Sequence, residues 1–191
     1  MRPKIIKNFS DKIEIAILNW WSIDNFRKNP HQYIDPNMDP DRPGSRFTTR
    51  IRQHENYSNL DVDIEYPMIA YTIQERIMWR LKLKEFRLPP PFFEGIVNGI
   101  GFGEGLICEH TDPVYYPDTI TMHCNLITRK ADIGGITVID GIEYDIEPGD
   151  LLVYPVSEIP HRVTLTKGKT NRILWVFGYC IPIDKAEDIF Q

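Results

Sequence analysis

The sequence predicts a mainly β fold with flanking α-helices. Two helical patterns precede residue 93, short β-rich runs separated by turn signals fill the rest, and Pro89-Pro90-Pro91 stands near the boundary. A chain of 191 residues can bury one core with peripheral helices but is short for two enzymatic domains. The expectation is therefore a single domain, with helical and loop-rich support over 1–93, a β core over 94–180 and a C-terminal tail over 181–191.

Ser10 suits the N-cap of a first helix running from about Asp11 to Trp21. Ile13, Ile17, Trp20 and Trp21 approximate a helical apolar stripe, which predicts the face that docks on the core. Residues 29–63 are polar and rich in proline, aspartate and asparagine, the composition of an irregular excursion, and long loops of this kind are often functional. A second helix is expected from Pro67 to about Phe86, because proline suits the first turn and Ile69, Ile73, Ile77 and Leu81 recur every fourth residue. Strands follow near 94–100, 105–110, 119–127, 135–139, 142–146, 151–154, 161–165 and 172–180. Asp140-Gly141 fits a two-residue hairpin, and Pro148-Gly149 fits a type II turn. Eight such strands suit either a sandwich or a jelly roll, and composition does not choose between them.

Apolar residues at 42% and charged residues at 26% are ordinary for a globular chain. No apolar run approaches the roughly 20 residues that span a bilayer, and the start MRPKIIKNFSDK lacks the apolar stretch of a signal peptide. The expectation is a soluble, cytoplasmic protein with no membrane partner. A net charge of -5 argues against broad capture of nucleic acid. Two locally basic stretches, Arg42, Arg46, Arg50 and Arg52 in one and Arg76, Arg80, Lys82, Lys84 and Arg87 in the other, read as solvated faces. Cys108, Cys124 and Cys180 form no C-x-x-C pair and read as small buried hydrophobes. His31 and His54 lack ligand-like spacing and are expected to be exposed, and Trp20, Trp21, Trp79 and Trp175 read as core or docking residues.

Chemistry concentrates in the second half. Glu109-His110-Thr111-Asp112 sets an imidazole and a carboxylate two residues apart, so in a strand both leave the same face. His161 lies just before another strand, where sheet packing could supply a third ligand. Two imidazoles and one carboxylate form a facial triad with open coordination positions, the arrangement of non-haem Fe(II) oxygenases. His-x-Asp alone is a weak signal. It gains weight from Pro113 and the loop-like Tyr115-Tyr116-Pro117-Asp118, which put the pair at a strand end, where sites commonly lie. It gains more from an ordered downstream series: Gly134-Gly135-Ile136-Thr137, Glu147-Pro148-Gly149-Asp150 leading into Leu151-Leu152-Val153-Tyr154, Pro160-His161-Arg162-Val163, then Asn171-Arg172.

That series resembles the prolyl-4-hydroxylase-like branch of the 2-oxoglutarate and Fe(II)-dependent oxygenases over about residues 95–180. The resemblance implies a double-stranded β-helix, a cupin-like jelly roll with helices against one sheet. It implies His110, Asp112 and His161 as catalytic iron ligands, with 2-oxoglutarate and O2 as co-substrates. Arg172 matches the arginine that pairs with the distal carboxylate of 2-oxoglutarate, and a guanidinium suits that task because its planar fork binds carboxylate bidentately and stays charged when buried. Thr121, His123 and Asn125 alternate on one strand, so His123 and Asn125 are candidate co-substrate contacts, as is Asn98 on the strand before the motif. A tyrosine that the family often carries in these strands is not evident.

By the same resemblance the reaction is oxidative decarboxylation of 2-oxoglutarate to succinate and carbon dioxide, coupled to hydroxylation of an unactivated C–H bond. Asp112 favours hydroxylation over halogenation, because related halogenases carry a small residue in its place. Tyr115, Tyr116 and the arginine-bearing loop that holds Arg50 are candidates for the substrate mouth. The substrate would be a peptidyl residue, an amino acid or a small metabolite. A nucleic-acid demethylase fits less well, since that branch carries a second arginine six residues after the first and Gly178 stands there here. Two other readings of the same residues are a cupin-like binding module without turnover and a metal-dependent hydrolase or isomerase. The sequence leaves the oligomeric state open.

Overall fold

The structure, a computed structural model, describes residues 1–28, 66–89, 95–101 and 105–190, and the backbone alone over 46–50. The expected excursion over 29–63 lies outside these except at 46–50, as do Arg42, Arg52, His31 and His54.

Two antiparallel sheets face each other. A six-stranded sheet has the order β1-β8-β5-β10-β3-β2, from Lys4–Ile6 (β1), Leu151–Pro155 (β8), Thr119–Arg129 (β5), Arg172–Pro182 (β10), Ile96–Gly101 (β3) and Arg46–Arg50 (β2). A four-stranded sheet has the order β4-β9-β6-β7, from Ile107–His110 (β4), His161–Val163 (β9), Thr137–Ile139 (β6) and Ile142–Tyr144 (β7). This is the double-stranded β-helix, and all eight expected strands are present. The turns behave as their residues require. Asp140 and Gly141 both take positive φ (49° and 75°) between the paired Ile139 and Ile142, and Gly149 takes φ 93° in its turn.

The two outermost strands of the large sheet, β1 and β2, come from the part of the chain expected to be helical and loop-rich. Three residues in β1 are too few for a periodic signal. The end of the chain is likewise ordered: β10 runs on to Pro182, and a helix α3 over Ile183–Phe190 turns Ala186, Ile189 and Phe190 inward.

Helix α1 spans Lys12–Lys28, well past Trp21. Its cap is Asp11 rather than Ser10. The Asp11 carboxylate accepts the backbone N–H groups of Ile13 (2.8 Å) and Glu14 (2.9 Å), and Glu14 reaches back to the Asp11 N–H (3.1 Å), a capping box. Ser10 instead donates its hydroxyl to Glu14 (2.7 Å). The docking face also differs from the expected stripe. Ile13, Ile17 and Trp20 are 72%, 41% and 67% exposed, whereas Glu14, Leu18, Ser22 and Asn25 are buried. Polar groups can face inward here because each meets a partner. Arg76 grips both oxygens of Glu14, and the Ser22 hydroxyl donates to Leu18 O (2.8 Å) while accepting from Asn98 Nδ2 (2.9 Å). Trp21 does turn inward, its ring 5.2 Å from Tyr66 and 5.3 Å from Trp175.

Helix α2 spans Met68–Arg80 and buries Ala70, Ile73 and Ile77, with Ile69 and Leu81 packed alongside. It stops short of Phe86 because Lys82 takes a left-handed φ of 54° and the Leu83 N–H bonds back to Met78 O (2.9 Å), a C-terminal cap that precedes the prolines. Trp79 is 79% exposed, unlike Trp175, which is fully buried. Cys108 is exposed, while Cys124 and Cys180 are buried.

Strand alternation sorts the large sheet into two faces. Toward the helices it presents Ile96, Met122, Cys124, Val153, Trp175 and Phe177, each worth about 1.5–3 kcal/mol when a large side chain is fully buried. Toward the small sheet it presents a smaller apolar set that includes Val97, Ile127, Leu152, Tyr154, Leu174 and Val176. This second face, interrupted by polar side chains, floors the cleft between the sheets.

Candidate metal centre

β4 ends at His110 and β9 begins at His161, and the two residues are direct partners across that strand pair. Their rings lie 4.3 Å apart. Asp112 follows the end of β4 and is anchored by its N–H to Val156 O (2.9 Å). One ligand atom from each of His110, Asp112 and His161 falls within 4.8 Å of the others. Three strand-end side chains thus converge from two connected segments.

The histidine tautomers follow from their neighbours. Nδ1 of His110 lies 2.8 Å from the Cys108 carbonyl and Nδ1 of His161 lies 3.3 Å from the Ile159 carbonyl. A carbonyl only accepts, so Nδ1 carries a hydrogen, and Nε2 either donates to Asp112 when protonated, as His110 does at 3.4 Å, or offers its lone pair to a metal. Burial pushes Asp112 up, but the His110 hydrogen bond and then the charges of His123, His161 and His110 outweigh it and hold the carboxyl down at about 2. Burial pushes His161 down to about 4, with His110 adding to the effect and Asp112 opposing it. At neutral pH the carboxylate is ionised and His161 neutral, the states that a divalent cation requires.

Arg172 opens β10 and is buried. Its Nη2 donates to Thr137 Oγ1 (3.3 Å), and Thr137 pairs with Val163, two residues along β9 from His161. The guanidinium therefore sits roughly 7 Å of strand rise from the metal end of the cleft. Gly135 makes room for it. A Cβ there would lie 2.8 Å from Arg172 Cδ, and the preceding Gly134 would drive one to 1.9 Å from Leu165 O, so both glycines of the pair have a steric reason.

Asn125 and His123 face the cleft, as their alternation requires. The Asn125 Nδ2 donates to Tyr154 Oη (2.9 Å), and its buried Oδ1 has no partner among the described residues. His123 Nε2 lies 3.3 Å from Asp112 Oδ2, so it braces the carboxylate rather than reaching toward Arg172. Asn98 is on the far face of the sheet, bound to Ser22 and to Leu174 O (3.3 Å), away from the cleft. Tyr116 is half-buried, with its hydroxyl on Leu88 O (3.2 Å), and Tyr115 is half-buried beside it. Arg50 ends β2 opposite Val97, and its side chain is outside the described atoms. Gly178 faces the cleft beside His123, and Pro89 Cγ lies 3.1 Å from where a Cβ would stand.

Tyr154 was the residue missed. It is 2% exposed, opposite His123 in the β5–β8 register, with its ring 5.3 Å from His161. Its parity with Leu152 was available in the sequence, but which parity faces the cleft was not.

The residues present fit a divalent metal and a dicarboxylate. Two Nε2 lone pairs and a carboxylate oxygen converge, and a buried guanidinium stands further along the same cleft. No protein-family model matches the chain, and no curated protein matches it in sequence. Solved structures match it closely in shape. Viral collagen prolyl hydroxylase from Paramecium Bursaria Chlorella virus-1, in complex with 2-oxoglutarate, superposes with a TM-score of 0.65 at 12% identity, covering 96% of this chain and 97% of that one. Prolyl hydroxylase from Trichoplax adhaerens, in complex with a hypoxia inducible factor peptide fragment, gives 0.60 at 13%, covering 99% and 87%. HygX from Streptomyces hygroscopicus, with nickel, 2-oxoglutarate and hygromycin B, gives 0.59 at 10%, covering 95% and 83%. At these identities the likeness establishes the fold.

Proposed function

We propose that this protein is an Fe(II)- and 2-oxoglutarate-dependent oxygenase that hydroxylates a C–H bond of a peptidyl residue, an amino acid or a small metabolite. The observation that carries this reading is the convergence of His110, Asp112 and His161 in one cleft with the buried Arg172. The structural neighbours support it, since those named above were solved with 2-oxoglutarate, with nickel, with a peptide fragment or with hygromycin B.

In this reading His110, Asp112 and His161 hold the iron by one face. Arg172 receives the distal carboxylate of 2-oxoglutarate, and the low polarity around it strengthens that pair. The unpartnered Asn125 Oδ1 and the Tyr154 hydroxyl line the floor between them. His123 fixes the second oxygen of Asp112, which leaves the first for the metal. The iron, when bound, supplies oxygen activation coupled to decarboxylation of 2-oxoglutarate. Among the described residues no helix is long and apolar enough to cross a membrane.

Anaerobic reconstitution with Fe(II) and 2-oxoglutarate tests the proposal. The expected result is a weak visible charge-transfer band, followed by succinate on exposure to oxygen. Bound metal with neither band nor succinate would overturn it.

A further inference from the structure

The segment after α2 brings a cation to the rim of the same cleft. Arg87 exchanges two backbone hydrogen bonds with Cys180, N–H to O at 2.8 Å and O to N–H at 2.7 Å, and so extends the sheet beside β10. Cys180 pairs with Thr121 in register, and the Thr121 hydroxyl donates to Pro113 O (2.8 Å), next to Asp112. Two inter-strand spacings separate Arg87 from Thr121, roughly 10 Å between backbones. Arg87 is thus anchored on the Asp112 side of the opening, far along the cleft from Arg172.

Its side chain lies over an aromatic ring. The Arg87 Cζ stands 4.9 Å from the centroid of the Tyr116 ring. Tyr116 is fixed at both ends: its hydroxyl donates to Leu88 O (3.2 Å), and its carbonyl accepts from Thr119 Oγ1 (2.8 Å) and Thr119 N (3.3 Å). A guanidinium held over an aromatic ring by its carbon keeps N–H groups for a further ligand, and that planar fork matches a carboxylate. Arg87 is exposed, and among the described residues no carboxylate pairs with it. The aromatic ring braces this arginine, and no carboxylate among the described residues occupies its fork.

We infer that Arg87, stacked on Tyr116, is a carboxylate-binding element of the substrate mouth, so that the molecule oxidised at the metal carries a carboxylate. This rests on the oxygenase reading for the site but makes a separate claim about substrate class. Two sources share the chemistry, the α-carboxylate of a free amino acid and an acidic side chain of a peptide.

The test uses the full chain loaded with Ni(II) and saturating 2-oxoglutarate, so that Arg172 is occupied. Ligand-observed NMR is run against a pool of L-amino acids, their primary amides, and short peptides in matched Asp/Asn and Glu/Gln forms. The expected result is a preference for carboxylate over amide of about ten-fold or more. Arg87→Gln should bring that ratio to about one, and Arg87→Lys should restore part of it. The retained class, amino acid or acidic peptide, identifies the source. No preference in the native protein, or an equal preference in Arg87→Gln, would overturn the inference. Retention of nickel and 2-oxoglutarate, read on the same samples, reports separately on the oxygenase reading.

Discussion

The two faces of the six-stranded sheet carry the same backbone and opposite tasks. On the helix side, Trp175, Phe177, Met122 and Leu126 are fully buried, and the polar Asn98 is tied to Ser22. On the cleft side of the same strands stand Asn125, bound to Tyr154, His123, beside Asp112, and Arg172, bound to Thr137. Stability should therefore be separable from chemistry by a shift of a single residue.

The largest effect is expected at the metal end. His161→Ala removes a ligand from a strand end that is already anchored by neighbouring backbone pairs, so metal retention and turnover should vanish while the thermal unfolding midpoint moves little. Metal analysis after gel filtration, alongside a melting curve, checks both halves. Turnover that survives would remove His161 from the triad.

Trp175→Ala should give the mirror image. Truncating a fully buried tryptophan costs about 3–5 kcal/mol, so denaturant unfolding should show the loss while the protein that remains folded still binds metal. A loss of metal affinity in the folded fraction would mean that the two faces are coupled through the sheet.

Arg172→Ala should weaken 2-oxoglutarate by about 1.5–3 kcal/mol, roughly ten- to a hundred-fold, with metal binding intact. Isothermal titration with the metal-loaded protein reads this directly. An unchanged affinity would sink the co-substrate role.

Much of this division could be read in the sequence, and the failures have physical causes. The His-x-Asp pair is a weak signal alone, and it and His161 stand out through the ordered series from Gly134 to Arg172 that resembles a known family. Thr121, His123 and Asn125 were placed on one face by a period of two, which a long central strand obeys. The same logic could not say which face β3 turns to the cleft, and Asn98 landed on the helix side. Cap preference does not separate Ser10 from Asp11, and apolar periodicity does not locate the docking face of α1, because burial there follows from polar pairing. Glu14 and Ser22 go inward because Arg76 and Asn98, distant in sequence, satisfy them.

That explanation can be tested at the Glu14–Arg76 pair. The hydrogen bond from Arg76 is the largest influence on Glu14; burial opposes it, Ser10 and Asp11 add to it, and the carboxyl is held down at about 2 from an ordinary 4.5. A group whose folded pKa is depressed stabilises fully above its unfolded pKa and loses that contribution as pH falls through the folded one. The pair should therefore stabilise the native state above about pH 4.5 and cease to do so near pH 2. Glu14→Gln should cost on the order of 1–2 kcal/mol at pH 7, discounted for the half-exposed Arg76, and almost nothing at pH 2. Parallel urea titrations at the two pH values give the difference, and an equal cost at both would leave the inward turn of Glu14 without its electrostatic cause.

The smallest effect is expected where a simple apolar rule would place a large one. If Ile13, Ile17 and Trp20 formed the docking stripe of α1, Trp20→Ser would open a cavity and cost several kcal/mol. With the ring 67% exposed and the inward positions taken by Leu18 and Ser22, the same change should fall within about 0.5 kcal/mol of the native protein. Leu18→Ala, one helical face away and fully buried, should cost about 2–5 kcal/mol. Urea midpoints of the two variants measured side by side decide which face holds the helix, because the two orientations predict opposite rank orders.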